Sequence, residues 1–178
     1  KLGSVELAIP GIHNVLNALA AVASAIYSGA KFEDCIKGLQ EFKGAGRRFE
    51  DLGTYNGIDF IDDYAHHPEE LRATIESLRG VFPARKLTAI FQPHLYTRTR
   101  DHYRGFAEVL SLCDEVVMVP IYPAREEPIE GVCSEMIGQL LTVDWQLAER
   151  EELVALLEKR STDVVVTLRT YRSLELQH

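Results

Sequence analysis

Gly57-Ile58-Asp59-Phe60-Ile61-Asp62-Asp63-Tyr64-Ala65-His66-His67-Pro68-Glu69-Glu70-Leu71 runs from an apolar segment, through two carboxylates, a phenol and two imidazoles, into a new apolar pattern. Ile58 to Ile61 reads as a short strand. Pro68 with Glu69 and Glu70 reads as a helix start, because proline suits the first helical position and acids favour the first turn. The polar cluster therefore occupies a strand-to-helix turn at the carboxyl end of a strand. In open α/β sheets, ligands collect there.

Working outward, Leu52-Gly53-Thr54-Tyr55 followed by Asn56-Gly57 predicts a tight hairpin feeding that strand. Downstream, strand and helix alternate. The pattern predicts a helix over 68–79, a strand over 87–91, a helix over 99–112 and a strand over 115–120. It continues with a helix over 134–141, a weak strand over 143–147, a helix over 151–159 and a strand over 163–168. Such alternation predicts a Rossmann-like α/β fold, a mostly parallel sheet with helices on both faces and right-handed crossovers.

Upstream, Val5-Glu6-Leu7-Ala8-Ile9 reads as the end of a strand stopped by Pro10-Gly11, as though the chain were cut from something longer. An alanine-rich helix follows over 11–27, with His13 and Asn14 at its cap and Asn17 one turn on. On spacing alone, Asn14 is an N-cap and Asn17 a solvated helix residue. A second helix over 31–42 carries Phe32, Cys35, Ile36, Leu39 and Phe42 as a buried stripe. Lys43-Gly44-Ala45-Gly46-Arg47-Arg48-Phe49-Glu50 then changes character and marks a domain boundary. Its glycine N–H groups and guanidinium forks form either a solvated basic turn or a phosphate or ribose contact.

The chain has 178 residues, 46% of them hydrophobic, enough for one good core. No apolar run approaches the ~20 residues of a membrane span, and no cleavable signal pattern opens the chain. Three widely spaced cysteines, Cys35, Cys113 and Cys133, without any CxxC, argue against a disulfide framework or a zinc site and for a reducing cytoplasm. A net charge of −8 and a pI near 5.3 argue against nucleic acid as a partner.

Two further loops follow strand ends: Gln92-Pro93-His94-Leu95-Tyr96-Thr97-Arg98-Thr99-Arg100, and Ile121-Tyr122-Pro123-Ala124-Arg125-Glu126-Glu127-Pro128-Ile129. Parallel strands present their carboxyl ends together, so Asp63, His66, His94, Arg98 and Arg125 are expected to converge. Asp62 and Asp63 could hold Mg²⁺, and His66 with His67 a transition metal. However, adjacent histidines lack the i, i+4 spacing that aims two rings at one ion, which disfavours a metal-dependent hydrolase. No GxSxG elbow, Walker A sequence or GxGxxG fingerprint occurs. His102 and Tyr103 read as surface, Trp145 as packing and Cys35 as core. His67 either orients His66 or caps the helix.

Five blocks together resemble the ATP-dependent Mur ligases of peptidoglycan synthesis. They are Gly11-Ile12-His13-Asn14-Val15-Leu16-Asn17, Gly46-Arg47-Arg48-Phe49-Glu50, Asp62 to Pro68, Phe91 to Thr99, and Tyr122 to Ile129. The HNxxN block is shared across that superfamily, whereas QPHxYTRT with DDYxHHP points to the member that adds L-alanine. The resemblance implies a three-domain enzyme. Residues 1–45 would end its central ATP-binding domain, and residues 46–178 would form the third domain, a lid that closes on ATP and delivers the amino acid.

The resemblance further implies that Asn14 and Asn17 meet the adenine, and that Arg48 and Asp63 meet the ribose and phosphates. Tyr64, His66, His94 and Arg98 would surround L-alanine. The implied reaction uses ATP and Mg²⁺ to turn the lactyl carboxylate of UDP-N-acetylmuramate into an acyl phosphate, which the alanine amine attacks. The P-loop lysine and magnesium carboxylates would lie upstream of Lys1, leaving this chain inactive alone. Leu95 stands where some members carry arginine, and Thr167 to Ser173 departs from the usual GAGD turn. The competing readings are a ligase that recycles a murein tripeptide onto UDP-N-acetylmuramate, and a non-catalytic domain binding a nucleotide or an amino acid.

Overall fold

A computed structural model describes residues 2–169. The departure expected after Leu168 therefore lies, from Thr170 onward, outside the described residues. Six strands form one sheet: β1 (Glu50–Tyr55), β2 (Ile58–Asp63), β3 (Leu87–Phe91), β4 (Glu115–Met118), β5 (Asp144–Leu147) and β6 (Val164–Leu168). Their order is β1-β2-β6-β3-β4-β5. Only β1 runs antiparallel, paired to β2 through the hairpin; every other neighbouring pair is parallel. The hairpin turn is Asn56-Gly57, at φ 51° and 81°. Two positive φ angles define the turn whose twist matches that of the strands, and Asn-Gly adopts it at low cost.

Six helices accompany the sheet: α1 (Ile12–Tyr27), α2 (Phe32–Glu41), α3 (Pro68–Val81), α4 (Tyr96–Leu110), α5 (Glu135–Gly138) and α6 (Leu153–Glu158). The strand alternation sorts the core into two layers. Leu87, Ala89 and Phe91 of β3 and Val164, Val166 and Leu168 of β6 face Leu71, Ile75 and Leu78 of α3 and Phe106 and Leu110 of α4. Ile90 and Val165 point the other way, onto Leu153 of α6. Helices therefore cover both faces. Trp145 packs on the first layer, over Gly138, where an added Cβ would come within 2.5 Å of the indole ring.

The structure corrects several sequence expectations. Val5 to Ile9 is not a strand, since among the described residues no sheet edge offers its N–H and C=O groups a ladder. Asn14 is not the N-cap of α1. Gly11 holds that position at φ 102°, ψ 136° without a side-chain cap, and Asn14 Nδ2 instead donates back to the Pro10 carbonyl at 2.6 Å. The stripe of α2 is only half-buried, and Phe42 is exposed. Helix α4 begins three residues earlier than predicted, because Glu126, remote in sequence, accepts the Thr97 N–H at 2.9 Å and so caps its first turn. Strand β4 stops at Met118, before Pro120, which has no N–H to give a ladder. Helix α5 is a single turn. The predicted 151–159 helix divides into a 3₁₀ turn, Arg150–Glu152, and α6.

Candidate functional site

The last two residues of β2 are Asp62 and Asp63, and the period of the strand sends them to opposite faces. Asp62 faces Arg169 Nε at 3.3 Å and Arg47 Nε at 3.5 Å, and also accepts from the Thr167 hydroxyl. Asp63 points to the other side. Its Oδ1 accepts the Ala65 N–H at 2.8 Å, and its Oδ2 accepts the Phe49 N–H at 2.9 Å and the Thr74 hydroxyl at 3.0 Å. Burial pushes the Asp63 carboxyl up, against the downward pull of those three donors and of Arg48. Among the described residues no three His, Cys, Asp or Glu side chains gather as a metal-binding group.

Asp63 thus staples the Arg47-Arg48-Phe49 turn to the start of α3. Arg47 and Phe49 adopt positive φ, 61° and 50°, a strained geometry that the surrounding contacts must hold. Arg48 is left half-exposed, 3.9 Å from Glu70 and 5.7 Å from the centre of the Tyr64 ring. Between this turn, α1, α2 and α3 lies a cleft of 660 Å³. Leu39, Phe42, Ala18 and Ala21 supply apolar walls, and Asn14, Asn17, Arg48, Asp63 and Glu70 supply polar groups. His13 lines it too, with Nδ1 buried and without a hydrogen bond among the described residues.

A second cluster sits on the other side of Glu70. His66 Nδ1 lies 2.9 Å from the Tyr64 carbonyl and 3.3 Å from Glu70, and the His66 ring stands edge-on to Tyr64 at 5.3 Å and to His94 at 6.4 Å. Arg98 Nη1 is 3.2 Å from His94 Nδ1. His94 stacks on Tyr122 at 5.7 Å, and the two form an isolated parallel bridge that pins the Tyr122 loop to the α4 entrance. Burial, then Arg98 and His66, hold the His94 imidazole below its ordinary value, so it is neutral near pH 7. Leu95, between the two blocks, has φ 72°.

The structure therefore gathers Tyr64, His66, His94 and Arg98 into one cluster, and lines one cleft with Asn14, Asn17, Arg48 and Asp63. Arg125 is exposed, and among the described residues it makes no ion pair with the cluster. His67 is resolved as the α3 cap, with Nδ1 accepting the Glu69 N–H at 3.4 Å.

Residues 47–168 match a family model described as Mur ligase, glutamate ligase domain. The chain belongs to the Mur ligase family. It is 44% identical over 170 residues to a UDP-N-acetylmuramate–L-alanine ligase of Phocaeicola vulgatus, covering 94% of this chain and 37% of that protein. It is 50% identical over 138 residues to the ligase of the same name from Lawsonia intracellularis, covering 78% and 30%. Among solved structures, it is similar to the UDP-N-acetylmuramate-alanine ligase of Thermotoga maritima, with a TM-score of 0.75 and 30% identity over 94% of this chain and 36% of that one. A murein peptide ligase of Psychrobacter arcticus follows at 0.67 and 25%, over 93% and 35%. The chain spans about a third of the length of the curated relatives it matches.

Within this Mur ligase chain, Glu70 is the candidate-site residue that sequence reasoning missed. It accepts the His66 N–H at 3.0 Å, meets the His66 ring and reaches Arg48, so it touches both the cleft and the cluster. Burial raises its carboxyl, but the His66 N–H, the His66 ring and Arg48 outweigh it, and the net shift is downward. The signal that could have found it is its i, i+4 spacing from His66. In the sequence it reads as an ordinary first-turn acid beside Glu69.

Proposed function

We propose that this chain is the C-terminal part of an ATP-dependent ligase that joins L-alanine to UDP-N-acetylmuramate in cytoplasmic peptidoglycan synthesis. On this reading, residues 1–45 end the ATP-binding domain and residues 46–178 form the amino-acid-delivering domain. The observation that carries the reading is 44% identity, over 94% of this chain, to an enzyme named for that reaction. The site chemistry supports it. The cleft offers apolar walls for a base, the Asn14 and Asn17 amides, the unpaired Nδ1 of His13 and the Arg48 guanidinium, a set that suits a nucleotide. The second cluster offers Arg98 for a carboxylate and an imidazole acceptor near an amine.

The chemistry proceeds in two steps. The lactyl carboxylate oxygen attacks the γ-phosphorus of ATP and ADP departs, giving an acyl phosphate. The alanine amine then attacks the acyl carbon, phosphate leaves and the amine loses a proton. Phosphoryl transfer depends on positioning and charge neutralisation, and Mg²⁺ supplies part of the latter. On this reading the ion is held by residues outside this chain, as are the triphosphate-gripping groups. Arg48 neutralises phosphate or ribose-side charge, and Arg98 orients the alanine carboxylate.

Kinetics of the full-length protein test this. Arg98→Ala is expected to raise the alanine KM by about 10- to 100-fold, the loss of one charge-assisted hydrogen bond, with a smaller change in the ATP KM. Arg48→Ala is expected to do the reverse. An unchanged alanine KM in the first variant would remove the amino acid from this cluster. A protein that rejects L-alanine and accepts the murein tripeptide would instead be a recycling ligase.

A further inference from the structure

We propose that Glu70 is a positioning residue that fixes His66 as its Nδ1–H tautomer, leaving His66 Nε2 as the acceptor for the ammonium group of the bound amino acid. The ammonium half rests on the amino-acid reading of the cluster given above; the clamp itself rests on geometry alone.

Two oxygens face His66 Nδ1: the Tyr64 carbonyl at 2.9 Å and Glu70 Oε2 at 3.3 Å. A carbonyl and an ionised carboxylate only accept, so Nδ1 must donate. In the neutral ring the lone pair then lies on Nε2. Glu70 Oε2 also accepts the His66 backbone N–H at 3.0 Å, so one carboxylate oxygen, a helical turn away, grips both the main chain and the ring of His66. Arg48 at 3.9 Å holds the other oxygen, Oε1, from the cleft side. The downward net shift of the Glu70 carboxyl keeps it ionised across the neutral range.

The facing histidine is set the other way. A guanidinium can only donate, so the 3.2 Å contact from Arg98 Nη1 makes His94 Nδ1 an acceptor and puts its proton on Nε2. The two rings stand 6.4 Å apart, edge to face. One thus presents an acceptor nitrogen, while the other, with Arg98, presents donors. A free amino acid carries an ammonium that needs acceptors and a carboxylate that needs donors, so this polarity orients it: amine toward His66, carboxylate toward His94 and Arg98. Adjacent His67, whose Nδ1 accepts the Glu69 N–H, has no such carboxylate clamp among the described residues. The charged or titratable groups around His66 are Glu70 from α3, Arg48 from the preceding loop, Tyr64 beside it, and His94 with Arg98 from the α4 entrance.

The test has two arms. In the first, imidazole ¹⁵N–¹H correlation spectra of the 178-residue chain are recorded at about pH 8, above the ordinary histidine range. His66 is expected as Nδ1–H and His94 as Nε2–H. Glu70→Leu should convert His66 to a mixture of tautomers with His94 unchanged, whereas Glu70→Gln, whose amide oxygen still accepts, should keep Nδ1–H. In the second arm, full-length Glu70→Leu should raise the alanine KM by about 10- to 100-fold, as loss of an orienting partner typically does. The ATP KM should move less, and Glu70→Gln should raise the alanine KM by less than about tenfold.

A His66 that stays Nδ1–H in Glu70→Leu overturns the clamp. Equal rises in both KM values, the pattern of a merely structural residue, overturn it as well. A full-length protein that ignores L-alanine, while His66 follows Glu70 as stated, overturns the ammonium half and the substrate reading with it, and upholds the clamp.

Discussion

The α1–α2 pair and the sheet unit are both written in apolar residues, yet they use them differently. Every residue of β3 and β6 is buried, whereas in α1 only Ala18 is, and in α2 none. Ile12, Leu16 and Leu19 stand 73%, 60% and 62% exposed on α1. Hydrophobic periodicity states which face of a helix seeks cover; it does not say what supplies the cover. In the sheet unit, the alternating faces of β3 and β6 and the stripes of α3 and α4 cover one another. Among the described residues, nothing covers that face of α1.

That contrast is broken most directly by truncating one residue on each side. Phe106, fully buried against Phe91 at a ring separation of 5.1 Å, is expected to cost about 3–5 kcal/mol on Phe106→Ala, measured by urea unfolding of the chain. Leu16→Ala is expected to change stability by less than about 0.5 kcal/mol, because most of its surface already meets water. Equal losses would mean that α1 belongs to the same cooperative core as the sheet.

A somewhat smaller loss is expected from the ion cluster at the carboxyl ends of β2 and β6. Asp62 carries Arg169 and Arg47 on a side chain only 8% exposed, and Asp62→Ala strands Arg169, itself 10% exposed. Removing one member of a buried pair costs about 3 kcal/mol or more, because the other charge remains desolvated. Denaturant midpoints of Asp62→Ala and Asp51→Ala sharpen the comparison, since Asp51, on exposed β1, accepts, among the described residues, only the Gly53 N–H at 2.8 Å. If Asp62→Ala cost no more than Asp51→Ala, the cluster would be a solvated one.

Much of this was legible in the sequence, and the rest was hidden for identifiable reasons. Asn56-Gly57 names its own turn, and strands buried on both faces read as nearly unbroken apolar runs, so β3 and β6 appear within a residue of their places, whereas β2 runs two residues past Ile61, through Asp62 and Asp63. The early start of α4 was not legible, because its cap is Glu126, 29 residues from Thr97. Nor was the positive φ of Leu95, a residue with no local reason to adopt it. The divergence of Asp62 and Asp63 was legible but passed over: neighbours in a strand point to opposite faces, so a pair that reads as one site serves two. The cleft lies between segments far apart in sequence, and its Asn17 became a candidate only through the family resemblance, whereas Arg48 was already offered by the guanidinium forks of the Arg47-Arg48 turn.

The smallest expected effect uses two carboxylates of one cleft against each other. Asp63 is pushed up by burial, so between the ordinary aspartate value and its folded value the native chain holds a proton that the unfolded chain has released. Its contribution is fully present below the ordinary value and is lost as pH rises through the folded one. Glu70 is net lowered, so its contribution is present above the ordinary glutamate value and is lost as pH falls through its folded value. The stability difference between the chain and Asp63→Asn, followed by thermal unfolding from acid to neutral pH, should therefore fall as pH rises. The difference for Glu70→Gln should rise over the acidic range instead. Slopes of the same sign would mean that the three hydrogen bonds to Asp63 outweigh its burial. The Asp63 staple on the Arg48 turn would then strengthen, rather than weaken, as its carboxyl ionises.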